Sequence, residues 1–190
     1  MRKSKDSSFY RDLLSCKELR RYYGGHWAER NDILIEQLSP YLPAESHVLD
    51  LAAGSSYIAE RIIKNERVKS YTWNDFNPKL QTLVSTRISD PKFEINAFDA
   101  DDTSEDLSRY NVFICVSLEH IEKDREILSK LSTGCVVSIC SPNVPDPSHV
   151  RIFQEMSEFI SRYEDLISFE AKQAHETGQY RRFVATGFRK

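Results

Sequence analysis

Between His47 and Ser141 the chain alternates short strand-like runs with amphipathic stretches, and this alternation limits its fold more than any other feature. The strand-like runs are His47–Ala52, Ser70–Asp75, Lys92–Phe98, Asn111–Val116 and Cys135–Ser141. Tyr57–Lys64, Pro78–Ile88 and Lys123–Leu131 carry helical patterns between them, and Thr103–Tyr110 reads as a short connector with a helical turn. Strands joined through helices run parallel, so these segments make a mostly parallel sheet with helices on both faces. Val112-Phe113-Ile114-Cys115-Val116 is apolar at every position, which suits a strand covered on both sides.

The two ends complete the layout. Phe9–Tyr23 and Trp27–Leu42 read as helices, separated by Gly24-Gly25 and closed by Pro43. This divides the chain into a flexible tail (1–8), N-terminal helices forming a lid (9–42) and the main domain (43–190). A last helix is expected over Val150–Arg162, followed by strands at Leu166–Lys172 and Tyr180–Gly187. Only seven residues, Gln173 to Gln179, separate those two strands. A parallel crossover takes roughly a dozen or more, so they run antiparallel. The expectation is a three-layer α/β sandwich with a seven-stranded sheet whose last strand runs against the others.

Composition removes several alternatives. A length of 190 residues with 40% hydrophobic content fits one compact domain with a real core. The net charge of −3 excludes a chain-wide basic surface for coating nucleic acid, though not a local basic patch. The apolar runs fall far short of the ~20 residues that span a bilayer. Met1 to Ser8 is charged with no apolar stretch behind it, so no signal peptide is expected. Cys16, Cys115, Cys135 and Cys140 form no Cys-x-x-Cys pair and read as buried thiols, not as a disulfide framework or a zinc site. A cytoplasmic protein with no membrane contact is expected.

In open sheets of this kind ligands bind beyond the carboxyl ends of the strands, where the strand order reverses. The residues there are Asp50 to Ser56, Asp75 to Pro78, Asp99 to Asp102, Ser117 to His120 and Ser141 to Asn143. Carboxylates close the first three strands. That face repels phosphates and suits a ligand with hydroxyls, amines and positive charge. Asp75 follows Asp50 by 75 − 50 = 25 residues, a spacing that fits a carboxylate accepting two ribose hydroxyls. Phe76 beside it is placed to stack on a purine. The plainer roles are that Asp50 caps a turn and Asp75 starts the next helix.

These motifs together resemble those of class I S-adenosylmethionine-dependent methyltransferases, over about residues 30 to 190. Val-Leu-Asp-Leu-Ala-Ala-Gly-Ser-Ser at 48–56 resembles the family's first motif, Val-Leu-Asp-Leu-Gly-Cys-Gly-Ser-Gly. Asn-Asp-Phe-Asn-Pro-Lys-Leu at 74–80 resembles the second, Phe-Asp-Ala at 98–100 the adenine-contacting motif, and Ser-Leu-Glu-His-Ile-Glu-Lys-Asp at 117–124 the Leu-Glu-His segment. The resemblance implies a Rossmann-like fold and S-adenosylmethionine as cofactor. It assigns cofactor contacts to Asp50, Ala52, Gly54, Asp75, Phe76, Asp99, Ala100 and Ser117. Two motif glycines are replaced, by Ala52 and Ser56, which raises an inactive, cofactor-binding relative as one alternative.

The reaction so implied is direct displacement at a sulfonium methyl, O-directed, on a small molecule or glycan. His120 is the candidate general base. Its other role would be to fix, with Glu119, the loop beside the methionine moiety. The aromatic and basic segment Arg21–Arg30 would act as a lid, with Tyr23 or Trp27 facing the sulfonium and Arg30 pairing with the cofactor carboxylate. Two subgroups share the Glu-His and Ser-Pro-Asn segments: quinone and small-molecule O-methyltransferases, and metal-dependent enzymes that modify small-RNA 3′ ends. The latter use Glu-x-x-Glu-His and a later His. Glu119, His120 and His149 match, but Val116 stands at the first Glu, so no metal is expected. Arg20-Arg21 and Arg181-Arg182 are the support for a nucleic-acid acceptor, and the net negative charge opposes it. A nicotinamide-dependent oxidoreductase is disfavoured because the Gly-x-Gly-x-x-Gly loop is missing.

Overall fold

A computed structural model describes residues 25–177 and 180–190. The expected tail and first helix lie outside the described residues, as do Cys16, Arg20, Arg21 and Tyr23; the side chain of Trp27 also falls outside them.

The described chain begins with α1 (Gly25–Leu38), which runs into a 3-10 turn at Ser39–Tyr41. There follow β1 (Ser46–Leu51), α2 (Ala59–Ile62), β2 (Val68–Asn74), α3 (Pro78–Arg87), β3 (Phe93–Asn96) and β4 (Val112–Cys115). A 3-10 turn at Leu118–His120 leads to α4 (Asp124–Lys130), β5 (Val136–Pro142), α5 (Met156–Ser161), β6 (Ile167–Thr177) and β7 (Tyr180–Arg189). The seven strands form one sheet in the order β3-β2-β1-β4-β5-β7-β6. β1 to β5 pair in parallel, and β7 is antiparallel to both β5 and β6. The strand order reverses between β1 and β4.

Side chains on successive strand residues point to opposite faces. Val48, Tyr71, Trp73, Val112 and Ile114 pack on one side with Leu34 and Leu38 of α1. Leu49, Phe113, Cys115 and Val137 pack on the other with Phe159, Tyr163 and Phe183. Each such residue contributes roughly 1.5–3 kcal/mol by leaving water. The continuous apolar run of β4 is fully buried, as expected for a strand between two cores. Cys115, Cys135 and Cys140 are free and buried. Among the described residues no helix is long and apolar enough to cross a membrane.

The two largest boundary differences from the sequence reading lie toward the C-terminus. α5 starts at Met156, not Val150. The preceding residues are held out of the helix, because Val150 N–H donates to Glu119 O over 2.9 Å and Arg151 reaches the carbonyl of Ile121. The final hairpin is longer than expected: Gln173 to Thr177 join β6 and do not form a loop. Gly187 makes this hairpin possible near its bulge, since a Cβ there would lie 2.1 Å from Ser168 O.

Candidate functional site

A cavity of about 650 Å³ opens at the carboxyl ends of the parallel strands. Ala52, Gly54, Asp75, Phe76, Asn77, Ser117, Glu119, His120, Val144, Asp146, Ser148, His149 and Arg182 line it. Its volume falls within the range of roughly 300–1,000 Å³ found for small-molecule sites.

The turn after β1 forms the floor. Ala52 and Gly54 have φ of 52° and 63°, in the left-handed region. Glycine enters that region freely, whereas alanine pays about 1–2 kcal/mol for it. The replacement at position 52 therefore keeps the turn's backbone path and strains it. The second replacement is absorbed differently. Ser56 donates its hydroxyl to Glu60 over 2.5 Å, and Glu60 pairs with Arg87 at 2.6 Å, fastening the turn to α3.

Asp75 leaves β2 at the cavity rim. Its Oδ2 accepts from Gly54 N–H and its Oδ1 from Asn77 N–H, both at 2.9 Å. The helix start itself belongs to Asn77, not Asp75, and the Asp75 carboxylate, with about four acceptor sites, has two left. Burial raises its pKa, against the pull of the two backbone donors. Asn77 caps α3 by accepting from Lys79 N–H at 3.0 Å, with Pro78 in the first turn. Phe76, fixed between them, is 77% exposed at the mouth of the cavity.

Asp50 lies beneath the floor, fully buried. Tyr71 donates its hydroxyl to Oδ2 at 2.6 Å, and Oδ1 has no partner. Burial pushes the Asp50 carboxyl up to about 7, against the Tyr71 hydrogen bond and with help from Asp75. Arg30 is also buried, on α1, with Nε and Nη2 donating to Asn31 Oδ1. Burial lowers its pKa to about 10. It does not line the cavity; Arg182 does. That residue was legible in principle, because β7 runs antiparallel and so starts at the active end of the sheet, where Arg182 pairs with Pro142.

Asp99 and Ala100 follow β3 but are absent from the cavity wall. Asp99 accepts from Asp101 N–H at 3.0 Å and is exposed. Ala100 packs against the second core with Phe98.

The opposite wall carries Glu119, His120 and His149. His120 Nδ1 lies 3.1 Å from Ser148 O, and His149 Nδ1 lies 2.7 Å from Val144 O. A carbonyl oxygen only accepts, so each neutral ring carries its hydrogen on Nδ1 and leaves Nε2 with a lone pair. The two rings stand edge to face, 4.8 Å apart. Glu119 is 2% exposed, and its Oε2 has no partner. Burial raises its pKa, while Arg182, His120 and Arg30 pull it down. One ligand atom from each of the three residues lies within 4.8 Å of the others, a set able to hold a divalent cation. The wall offers acceptors and lone pairs, the equipment for taking a proton from a hydroxyl.

Comparison of the fold with solved structures gives consistent matches. The N-methyltransferase NodS from Bradyrhizobium japonicum WM9, in complex with S-adenosyl-L-homocysteine, matches with a TM-score of 0.71 at 14% identity, over 96% of each chain. This is the class I methyltransferase fold. Magnesium protoporphyrin IX methyltransferase (ChlM) from Synechocystis PCC 6803, with the same product bound, matches with a TM-score of 0.68 at 15% identity, over 97% of this chain and all of that one. The [4+2]-cyclase SpnF matches at 0.66 and 12% identity, over 86% of this chain and 81% of that one. No family model matches the sequence, and no curated protein matches it. The cavity thus lies where the strand order reverses, in a fold whose structural neighbours include S-adenosyl-L-homocysteine complexes and a cyclase.

Proposed function

We propose that this chain is an S-adenosylmethionine-dependent methyltransferase that methylates an oxygen of a small molecule or glycan. The observation that carries this reading is Asp75. Two backbone amides hold its carboxylate at the cavity rim, with acceptor capacity left for a ribose diol. Phe76 stands exposed beside it for the adenine. The left-handed turn at Ala52 and Gly54 leaves backbone facing the methionine part, with Asp50 buried beneath it. Arg182 on the cavity wall is the guanidinium for the cofactor carboxylate, with Arg30 behind it. Asp99 and Ala100, which do not line the cavity, have no cofactor contact in this reading.

The chemistry needs little beyond alignment. The sulfonium is already a good leaving group, so holding oxygen, methyl and sulfur in line supplies up to ~7–11 kcal/mol. The acceptor oxygen attacks the methyl carbon, the carbon–sulfur bond breaks, and the pair of electrons stays on sulfur. His120 Nε2 takes the acceptor's proton, worth ~10²–10⁴-fold. A nucleic-acid acceptor is less well supported, since Arg181 is already paired with Glu155 and Glu176 at 3.1 Å each.

A second reading concerns the same wall. The unpartnered Glu119 oxygen and the two Nε2 lone pairs favour a divalent cation there, which would lower the pKa of a bound acceptor hydroxyl and leave His120 as a ligand. Calorimetry with Mg²⁺ and Mn²⁺ on the protein and on Glu119→Gln separates the two readings.

The test of the function is transfer of a labelled methyl from S-adenosylmethionine into fractionated small molecules, glycans and RNA. Label in the first two classes is expected. Label in RNA alone would overturn the acceptor class, and tight cofactor binding without any transfer would make the chain an inactive binding relative.

A further inference from the structure

We propose that Arg151 is a positioning residue: anchored on Asp124, its guanidinium clamps the segment bearing His149 onto the turn bearing Glu119 and His120. The proposal rests on the reading of that wall as the acceptor side of a methyltransferase site.

Glu119 and His120 sit on a single 3-10 turn, and His149 sits on a loop almost thirty residues later with no helix or strand of its own. Nothing in either element brings the imidazoles together. Three contacts from the loop do. Ser148 O faces His120 Nδ1 at 3.1 Å, Val150 N–H donates to Glu119 O at 2.9 Å, and Arg151 fans out over the turn's exit. Its Nη1 donates to Ile121 O at 2.5 Å, and its Nη2 to Glu122 O at 3.1 Å. Nη1 also lies 3.4 Å from Leu118 O. Carbonyls at and just past the end of a short helical turn find no donor within it, so an external donor fixes where it ends.

The fan is itself fixed. Asp124 starts α4 and is 1% exposed. Its Oδ2 lies 3.0 Å from Arg151 Nη1, while Arg162 donates to both its oxygens at 2.8 and 2.9 Å and Tyr163 donates its hydroxyl. Burial works against the charge, but Arg162, Tyr163 and Arg151 outweigh it and hold the carboxyl below its ordinary value. Arg162 and Tyr163 follow α5 directly, and Tyr163 is buried in the second core. The core thereby fixes Asp124, Asp124 fixes Arg151, and Arg151 fixes the spacing of the imidazoles. Lysine cannot substitute: one ammonium cannot span a carboxylate and carbonyls on two successive residues.

The experiment is long-range ¹H–¹⁵N imidazole spectroscopy on the full chain labelled at histidine, comparing the parent with Arg151→Lys, alongside calorimetry with S-adenosylhomocysteine. In the parent, His120 and His149 should each show the Nδ1–H tautomer. In Arg151→Lys His120, whose partner Ser148 O lies across the clamp, should lose it and exchange between tautomers, while His149, held by Val144 O of its own loop, and His47 stay unchanged and cofactor-product affinity stays within about threefold. A merely structural role would lower the melting temperature and leave both tautomers in place, and that result overturns the proposal. If Arg151→Lys does not fold, the parent spectrum still decides: any tautomer other than Nδ1–H on either ring contradicts the clamped geometry, and Nδ1–H on both, with loss at His120 in Asp124→Asn, supports it. Absence of product binding in the parent would instead refute the cofactor reading and leave the clamp standing.

Discussion

Gly54 N–H donates to Asp75 Oδ2 over 2.9 Å, so the turn leaving β1 is fastened by the residue leaving β2. Two motifs that stand 75 − 54 = 21 residues apart in sequence are one structural unit at the cavity floor. The neighbouring pair β1 and β2 makes this possible, because Leu51 is in register with Asn74.

Ala52 holds a φ of 52° in this unit, which a methyl side chain tolerates poorly. Ala52→Gly should stabilise the protein by about 1 kcal/mol, raising Tm by roughly 2–4 °C. Ala52→Val should do the reverse by more. Thermal unfolding followed by circular dichroism checks both.

The Asp50–Tyr71 pair predicts a pH dependence. Burial raises the folded-state carboxyl to about 7, against an unfolded value of about 4. The folded state therefore binds the proton more tightly. Its stabilising contribution is complete below about pH 4 and is lost as pH rises through about 7, at a cost of up to roughly 4 kcal/mol. Urea unfolding at pH 5 and pH 8 should show lower stability at the higher pH, and Asp50→Asn should flatten that difference.

Phe76 is 77% exposed and packs on little. Phe76→Ala should leave folding stability within about 0.5 kcal/mol. It should weaken S-adenosylhomocysteine roughly three- to tenfold through the lost stacking face. Equal affinity in calorimetry would remove Phe76 from the site.

His120→Ala tests the base. With any acceptor that turns over, kcat should fall by ~10²–10⁴-fold while cofactor binding changes little. A cofactor affinity that falls in step with kcat would show instead that His120 holds the loop beside the methionine moiety.

Much of this was legible before any coordinates. The apolar run Val112 to Val116 and the helices between strands fix a parallel sheet, and a short link between the last two strands fixes the antiparallel end. Asp75 and Phe76 were legible as well, because they end a strand at the active edge. His149 and Arg182 were less so. His149 reaches the site from an irregular loop through Arg151 and Asp124, contacts that no local pattern encodes. Arg182 requires the direction of β7 to be combined with the strand order. The strain at Ala52 is invisible in a motif comparison, since only the backbone reveals that the position is left-handed. The start of α5 was misplaced for a related reason: Val150 and Arg151 carry a helical pattern, but their contacts with the Leu118–His120 turn and its exit override it.

The most direct test is calorimetry of S-adenosylmethionine and S-adenosylhomocysteine binding to the parent and to Asp75→Ala. Two hydrogen bonds to a charged acceptor are worth roughly 3 kcal/mol together, or about a hundredfold. The account predicts micromolar binding of both ligands, weakened at least that much by the substitution. Undiminished affinity in Asp75→Ala would contradict it.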